Sequence, residues 1–186
     1  LRDEHFNDED GALACWAQAI YAQPGHRGAR LAMEAALERR GQWDYLTQTL
    51  EEAAGAADDP VVVLTCCVRA AQICERELND PARALSFHER ALEAQPTYEP
   101  SVHASARLLH QLGSYAELAD LYQRAAAAAV LAGEQIAHLL RRAETQELFL
   151  DEPEEAVETY KAVVKIDSTN RSAIHGARRT AERSQQ

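Results

Sequence analysis

Arg69, His103, Arg141 and His175 stand 34, 38 and 34 residues apart, so two guanidinium groups and two imidazoles recur at a nearly fixed interval on an acidic chain. An arginine offers a planar fork of donors that matches a carboxylate or a phosphate. Arg107 and Arg179 each follow a histidine of this set by four residues, about one helical turn, and on a helix they widen the same face. Arg76 and Arg142 lie nearby on the same segments as flanking cations. The chemistry open to such a set is capture of an anionic group. The opposing reading pairs these cations with glutamates of adjacent helices and leaves no net field.

Other reactive side chains have simpler readings. The cysteines, Cys15, Cys66, Cys67 and Cys74, lack the spacing of a zinc knuckle and fall in stretches with helical character. They read as small apolar fillers, and unpaired they favour a reducing, cytoplasmic setting. His103 and His110 are seven residues apart, about 10 Å along a helix, too far to share one metal ion. Carboxylate runs such as "NDED" and "DEPEE" lie at helix starts, where they suit the helix dipole. No GxSxG, HExxH, P-loop or dinucleotide fingerprint occurs. No catalytic residue, no metal site and no cofactor is expected, and the chain does not read as an enzyme.

The elements that must position the cations follow from composition and periodicity. The chain has 186 residues, and only 14 of them are glycine or proline (8 and 6), with 6% aromatics, a balance that favours helices over a sandwich or barrel. The net charge of −11 opposes general binding to a nucleic-acid backbone or an anionic membrane. No apolar run approaches the ~18 residues that would span a bilayer. The start, "LRDEHFNDED", has neither a basic nor an apolar leader region and no initiator methionine, so a piece of a longer protein is expected.

A 72-residue period organises the chain. Asn7, Asn79 and Asp151 open its copies, Ala12, Ala84 and Ala156 follow, then Ala19, Ala91 and Val163, and Pro24 and Pro96 close the first two. A second register lies between them, where "GQWDYLTQTLEEAA" and "GSYAELADLYQRAA" match with Gly41 and Gly113 also 72 apart. Aligning Ala19, Ala53, Ala91, Ala125 and Val163 gives steps of 34, 38, 34 and 38. The basic unit is therefore about 34 residues, with four extra in every second one, around "GAADDP" and "AAVLAGEQ".

Each unit reads as two helices. In residues 99–130 an apolar 3.6 period runs to Gly113, which suits a helix C-cap, and Ser114 is placed to cap the next helix. Asn79, Asp80 and Pro81 serve the alternate junction, since proline is tolerated in a first helical turn. Two short amphipathic helices cannot bury their apolar stripes alone, and stacking on neighbours does so.

These residues resemble the tetratricopeptide repeat family. The turn glycine and aromatic are Gly113 with Tyr115 and Gly41 with Trp43; the small crossing residues are Ala84 and Ala91, or Ala106 and Ala125; the second-helix aromatic is Trp16, Tyr122 or Tyr160; the closing proline is Pro24 or Pro96. Leu46 and Leu118 depart from the pattern where a small residue belongs, and His88 and Leu50 where the aromatic belongs. The resemblance covers almost the whole chain and implies an all-α fold, a right-handed α-solenoid of stacked antiparallel helix hairpins. The expected domain is 1–186, with units at 1–26 (partial), 27–60, 61–98, 99–132, 133–170 and 171–186, the last a lone capping or truncated helix. "LRDEHF" reads as the tail of a first helix.

In such an array the first helices line a concave face, so the resemblance implies that Arg69, His103, Arg107, Arg141, His175 and Arg179 form a column across a groove, broken at Leu31. The expected function is a non-catalytic scaffold for protein–protein interaction, with a peptide or protein partner carrying an acidic segment. The alternative is a structural spacer or self-association module within a larger protein. The family's two-carboxylate clamp needs first-helix lysines and asparagines, and none is present there. Nucleic acid and membrane insertion are not expected.

Overall fold

The computed structural model describes residues 9–23 and 25–183. The expected helix tail at residues 1–6, the repeat marker Asn7 and the closing Pro24 lie outside the described residues. Those described form ten helices and no strand: α1 (Glu9–Ala22), α2 (Arg27–Arg39), α3 (Trp43–Ala56), α4 (Pro60–Arg76), α5 (Pro81–Ala94), α6 (Glu99–Leu112), α7 (Tyr115–Ala128), α8 (Ala132–Leu148), α9 (Pro153–Ile166) and α10 (Arg171–Arg183). The chain divides into two compact units, Leu1–Gln95 and Pro96–Gln186. Helices α1 to α5 build the first and α6 to α10 the second.

Two kinds of turn alternate, and both repeat at 72 residues. Gly41 ends the α2 turn at φ +65, a left-handed conformation that glycine adopts without steric cost. The N–H of Gln42 then bonds the Leu37 carbonyl at 3.0 Å and closes the helix. Gly113, at φ +73, does the same for α6, where the Ser114 N–H bonds the Leu109 carbonyl at 3.0 Å. The Ser114 side chain, expected to cap α7, makes no capping bond. The other junctions place Asn79 and Asp151 at φ 51 and 54, a region that short polar side chains tolerate. The N–H groups of Asp80 and Glu152 reach back to the Cys74 and Gln146 carbonyls at 2.9 and 3.0 Å, and Pro81 and Pro153 start the next helices. Asp80 also accepts the Arg83 N–H at 3.0 Å as a helix cap.

The four extra residues of alternate repeats become an added helical turn. Helices α4 and α8 have 17 residues, against 13 in α2 and 14 in α6. The addition lies at their N-terminal ends, since Arg69 and Arg141 are tenth in their helices while Leu31, His103 and His175 are fifth. At the start of α4, Asp59 accepts the Val61 N–H at 2.9 Å.

Packing within each unit rests on small residues where helices approach. In the first unit Cys66, Ala70 and Cys74 of α4 and Ala84 and Ala91 of α5 are fully buried, and Phe87, Leu46, Leu50, Met33 and Leu37 fill the space around them. Each large side chain buried in this way contributes about 1.5–3 kcal/mol. Burial raises the Cys66 and Cys67 thiols and pushes Cys74 up to about 11, so these thiols stay protonated and pack as the small apolar residues they resemble. In the second unit Ala126, Leu139, Ala143, Ala156, Tyr160, Val163 and Ala173 form one cluster. Helix α10 packs on α8 and α9. Gly176 makes this possible, because a Cβ there would stand 2.5 Å from Tyr160 Cζ.

Candidate functional site

The repeat places the six basic residues on first helices: Arg69 on α4, His103 and Arg107 on α6, Arg141 on α8, and His175 and Arg179 on α10. Arg69 belongs to the first unit and the other five to the second. Their environments separate them into two kinds.

Arg69 and Arg179 are engaged by carboxylates of the preceding first helix. Arg69 lies with its Nε 3.4 Å from Glu34 Oε2 and its Nη2 bonded to Glu38, both on α2. Arg30 adds a second cation 3.7 Å from Glu34 and donates to Cys66 Sγ at 3.3 Å. Burial nevertheless raises the Glu34 pKa, outweighing the attraction of Arg69 and Arg30. Arg179 grips Glu147 of α8 with both ends of its fork, Nε to Oε1 at 2.9 Å and Nη2 to Oε2 at 2.6 Å. Tyr160 donates its hydroxyl to the same carboxylate at 3.1 Å, and Arg183 lies 3.4 Å away. The bonds from Arg179 lower the Glu147 pKa against its burial. In turn burial, with the Glu147 charge, pushes the Tyr160 phenol up to about 12.

The remaining column residues are exposed. His103 Nε2 sits 3.4 Å from Glu99 Oε2, one turn earlier on α6, while Arg107, Arg141 and His175 project from α6, α8 and α10. The other Glu99 oxygen lies 2.9 Å from Nε2 of His138, a buried residue of α8 that sequence reasoning passed over. Its ring lies near Tyr122, 6.4 Å between centroids, and its Nδ1 is buried without a partner. Glu99 therefore ties the start of α6 to α8. The missed signal was a carboxylate and a basic residue 39 apart, an interval that Asp44–Arg83 and Glu51–Arg90 also show. Arg142, expected beside the column, instead donates Nη1 to Gln123 of α7 at 2.7 Å and lines a cleft between α7 and α9.

Exposed guanidinium and imidazole groups can hold carboxylates or phosphates. Among the described residues no group of three or more His, Cys, Asp or Glu side chains is placed to hold a metal ion. Among the described residues no helix is long and apolar enough to cross a membrane.

No family model matches the chain, and no curated protein does. Similar solved structures include the crystal structure of MamA protein, 12% identical over 90% of this chain and 87% of that one, with a TM-score of 0.48. Another is YrrB, described as a TPR protein with an unusual peptide-binding site, 15% identical over 95% of this chain and 87% of that one, TM-score 0.45. A MamA RS-1 ArsTM double mutant is 14% identical over 84% of this chain and 94% of that one, TM-score 0.45. The described helices fit a tetratricopeptide-like array. Its internal repeats, rather than correspondence with these structures, relate the six residues to one another.

Proposed function

We propose that this tetratricopeptide-like array is a non-catalytic protein-interaction scaffold, and that the first helices of its second unit receive an acidic segment of a partner. The observation that supports the reading is the exposure of Arg141 and His175 in the same slot of α8 and α10, two first helices in contact with one another. His103 and Arg107 continue the slot onto α6. A charge-assisted hydrogen bond of this kind contributes about 1.5–3 kcal/mol, and two or three such bonds would hold a short acidic stretch in register. Arg69 and Arg179 take a different part in this reading. Their charges are committed to Glu34, Glu38 and Glu147, so they hold neighbouring first helices together and shape the surface that binds.

The test is fluorescence anisotropy with a labelled Asp-Glu-Leu-Asp-Glu-Leu peptide. Arg141→Glu combined with His175→Glu should weaken binding at least tenfold while far-UV circular dichroism stays unchanged. Equal affinity of the double variant and the parent would overturn the reading.

A further inference from the structure

The cleft between the second helices α7 and α9, floored by α8, has a counterpart 72 residues earlier between α3 and α5, and the two are treated differently. In the first unit the opposing helices are bridged by two ion pairs, Arg83 to Asp44 at 3.2 Å and Arg90 to Glu51 at 3.4 Å. All four residues change at the matching positions of the second unit. Glu155 stands for Arg83, Ala162 for Arg90, Ala116 for Asp44 and Gln123 for Glu51. One arginine has become an acid and the other a methyl group, which leaves an open cleft of about 700 Å³ lined by Gln123, Glu155 and Ala162 among others.

The charges lining this space are unequal. Glu154, Glu155 and Glu158 line it together with one arginine, Arg142. Glu158 is bonded to Lys161 at 2.7 Å, whereas neither Glu154 nor Glu155 is in an ion pair among the described residues. Arg142 occupies the position of the buried Ala70 in the first unit, and its guanidinium reaches Gln123 where Arg90 reaches Glu51. It thus replaces one of the two lost arginines. Among the described residues nothing in the second unit replaces Arg83, and the Nε of Arg142 remains buried without an acceptor. From Glu154 to Ile166 the cleft follows α9 for about 18 Å, the reach of five or six extended residues.

We infer that this cleft binds an extended basic peptide segment of a partner, one of whose arginines takes the place that Arg83 fills in the first unit. The guanidinium pairs with Glu154 and Glu155 at the start of α9. Gln123 and Gln135 offer amides to the peptide backbone. This site is separate from the acidic-segment site on the first helices, because the two probes carry opposite charge and the variants share no residue.

The whole chain is titrated with a fluorescein-labelled Ala-Arg-Ala-Arg-Ala-Gly peptide, alongside the same peptide carrying citrulline for arginine. Glu154→Lys with Glu155→Lys should weaken binding at least tenfold. Glu117→Lys with Asp120→Lys, an equal charge change on α7 outside the cleft, should cost less than threefold. Grafting the first unit's pairs, as Ala116→Asp, Gln123→Glu, Glu155→Arg and Ala162→Arg together, should close the cleft and abolish binding with helicity retained. In the parent protein the side-chain amide resonances of Gln123 and Gln135 should shift on titration. Equal losses from the two lysine pairs, citrulline binding as tight as arginine, or binding that leaves those amides unmoved would each overturn the inference.

Discussion

Glu34 and Glu147 are both sheltered carboxylates on first helices, each facing an arginine of the next first helix in its unit, yet their pKa values move in opposite directions. Glu34 has Arg69 at 3.4 Å and Arg30 at 3.7 Å, and its side chain is 14% exposed. Glu147 is only 2% exposed. Burial opposes ionisation of both carboxylates. What separates them is hydrogen-bond geometry: Arg179 aligns its whole fork on Glu147, while Arg69 divides its fork between Glu34 and Glu38, and the Glu38 charge itself opposes ionisation of Glu34. A directed pair of short bonds does what looser charge contacts do not.

The largest effect that tests this contrast comes from removing each arginine. Arg179→Ala leaves the buried Glu147 with Tyr160 and Arg183, and chemical denaturation should show a loss of about 1–3 kcal/mol. Arg69→Ala should cost less, since Glu34 keeps Arg30 and takes up a proton more readily. A loss from Arg69→Ala as large as that from Arg179→Ala would break the contrast.

A smaller effect sharpens its sign. Glu147 has a folded pKa below its ordinary value, so its stabilisation is complete above the unfolded pKa and disappears as pH falls through the folded one. Glu34 has a raised folded pKa, so its ionisation becomes a cost as pH rises through that value. At neutral pH Glu147→Gln should therefore lower stability and Glu34→Gln should raise it. Urea denaturation of parent and variants across the acidic range should show the acid-side loss of stability reduced in Glu147→Gln and deepened in Glu34→Gln.

The smallest effect concerns the bridges between second helices. Arg83→Ala and Arg90→Ala remove exposed pairs and should each change stability by no more than about 0.5–1 kcal/mol in thermal melts. Such a result would place the role of these arginines in filling the first unit's cleft rather than in holding the fold.

Much of the local architecture was legible because backbone requirements leave residue-type marks. Gly41 and Gly113 end helices in left-handed geometry, and Asn79 with Pro81 and Asp151 with Pro153 mark the alternate turn. The burial of Cys66, Cys67 and Cys74 follows from their place on an apolar helical face. The candidate site was legible only as a slot. Equal spacing put Arg69, Arg141 and the two histidines at equivalent positions, but it does not reveal that Glu34 and Glu38 engage Arg69 while Arg141 stays exposed. Ser114 marks the same limit, since it has the right side chain in the right place and makes no cap bond.

The sequence by itself determined where helices begin and end and that they pair in a 72-residue rhythm, because turns and apolar stripes are set by residues within one or two turns of each other. Only the tertiary structure decided which cations are neutralised and which cleft stays open. Those outcomes depend on angles and distances of a few tenths of an ångström between side chains 31 to 39 residues apart, as for Arg69 with Glu38 and Arg83 with Asp44.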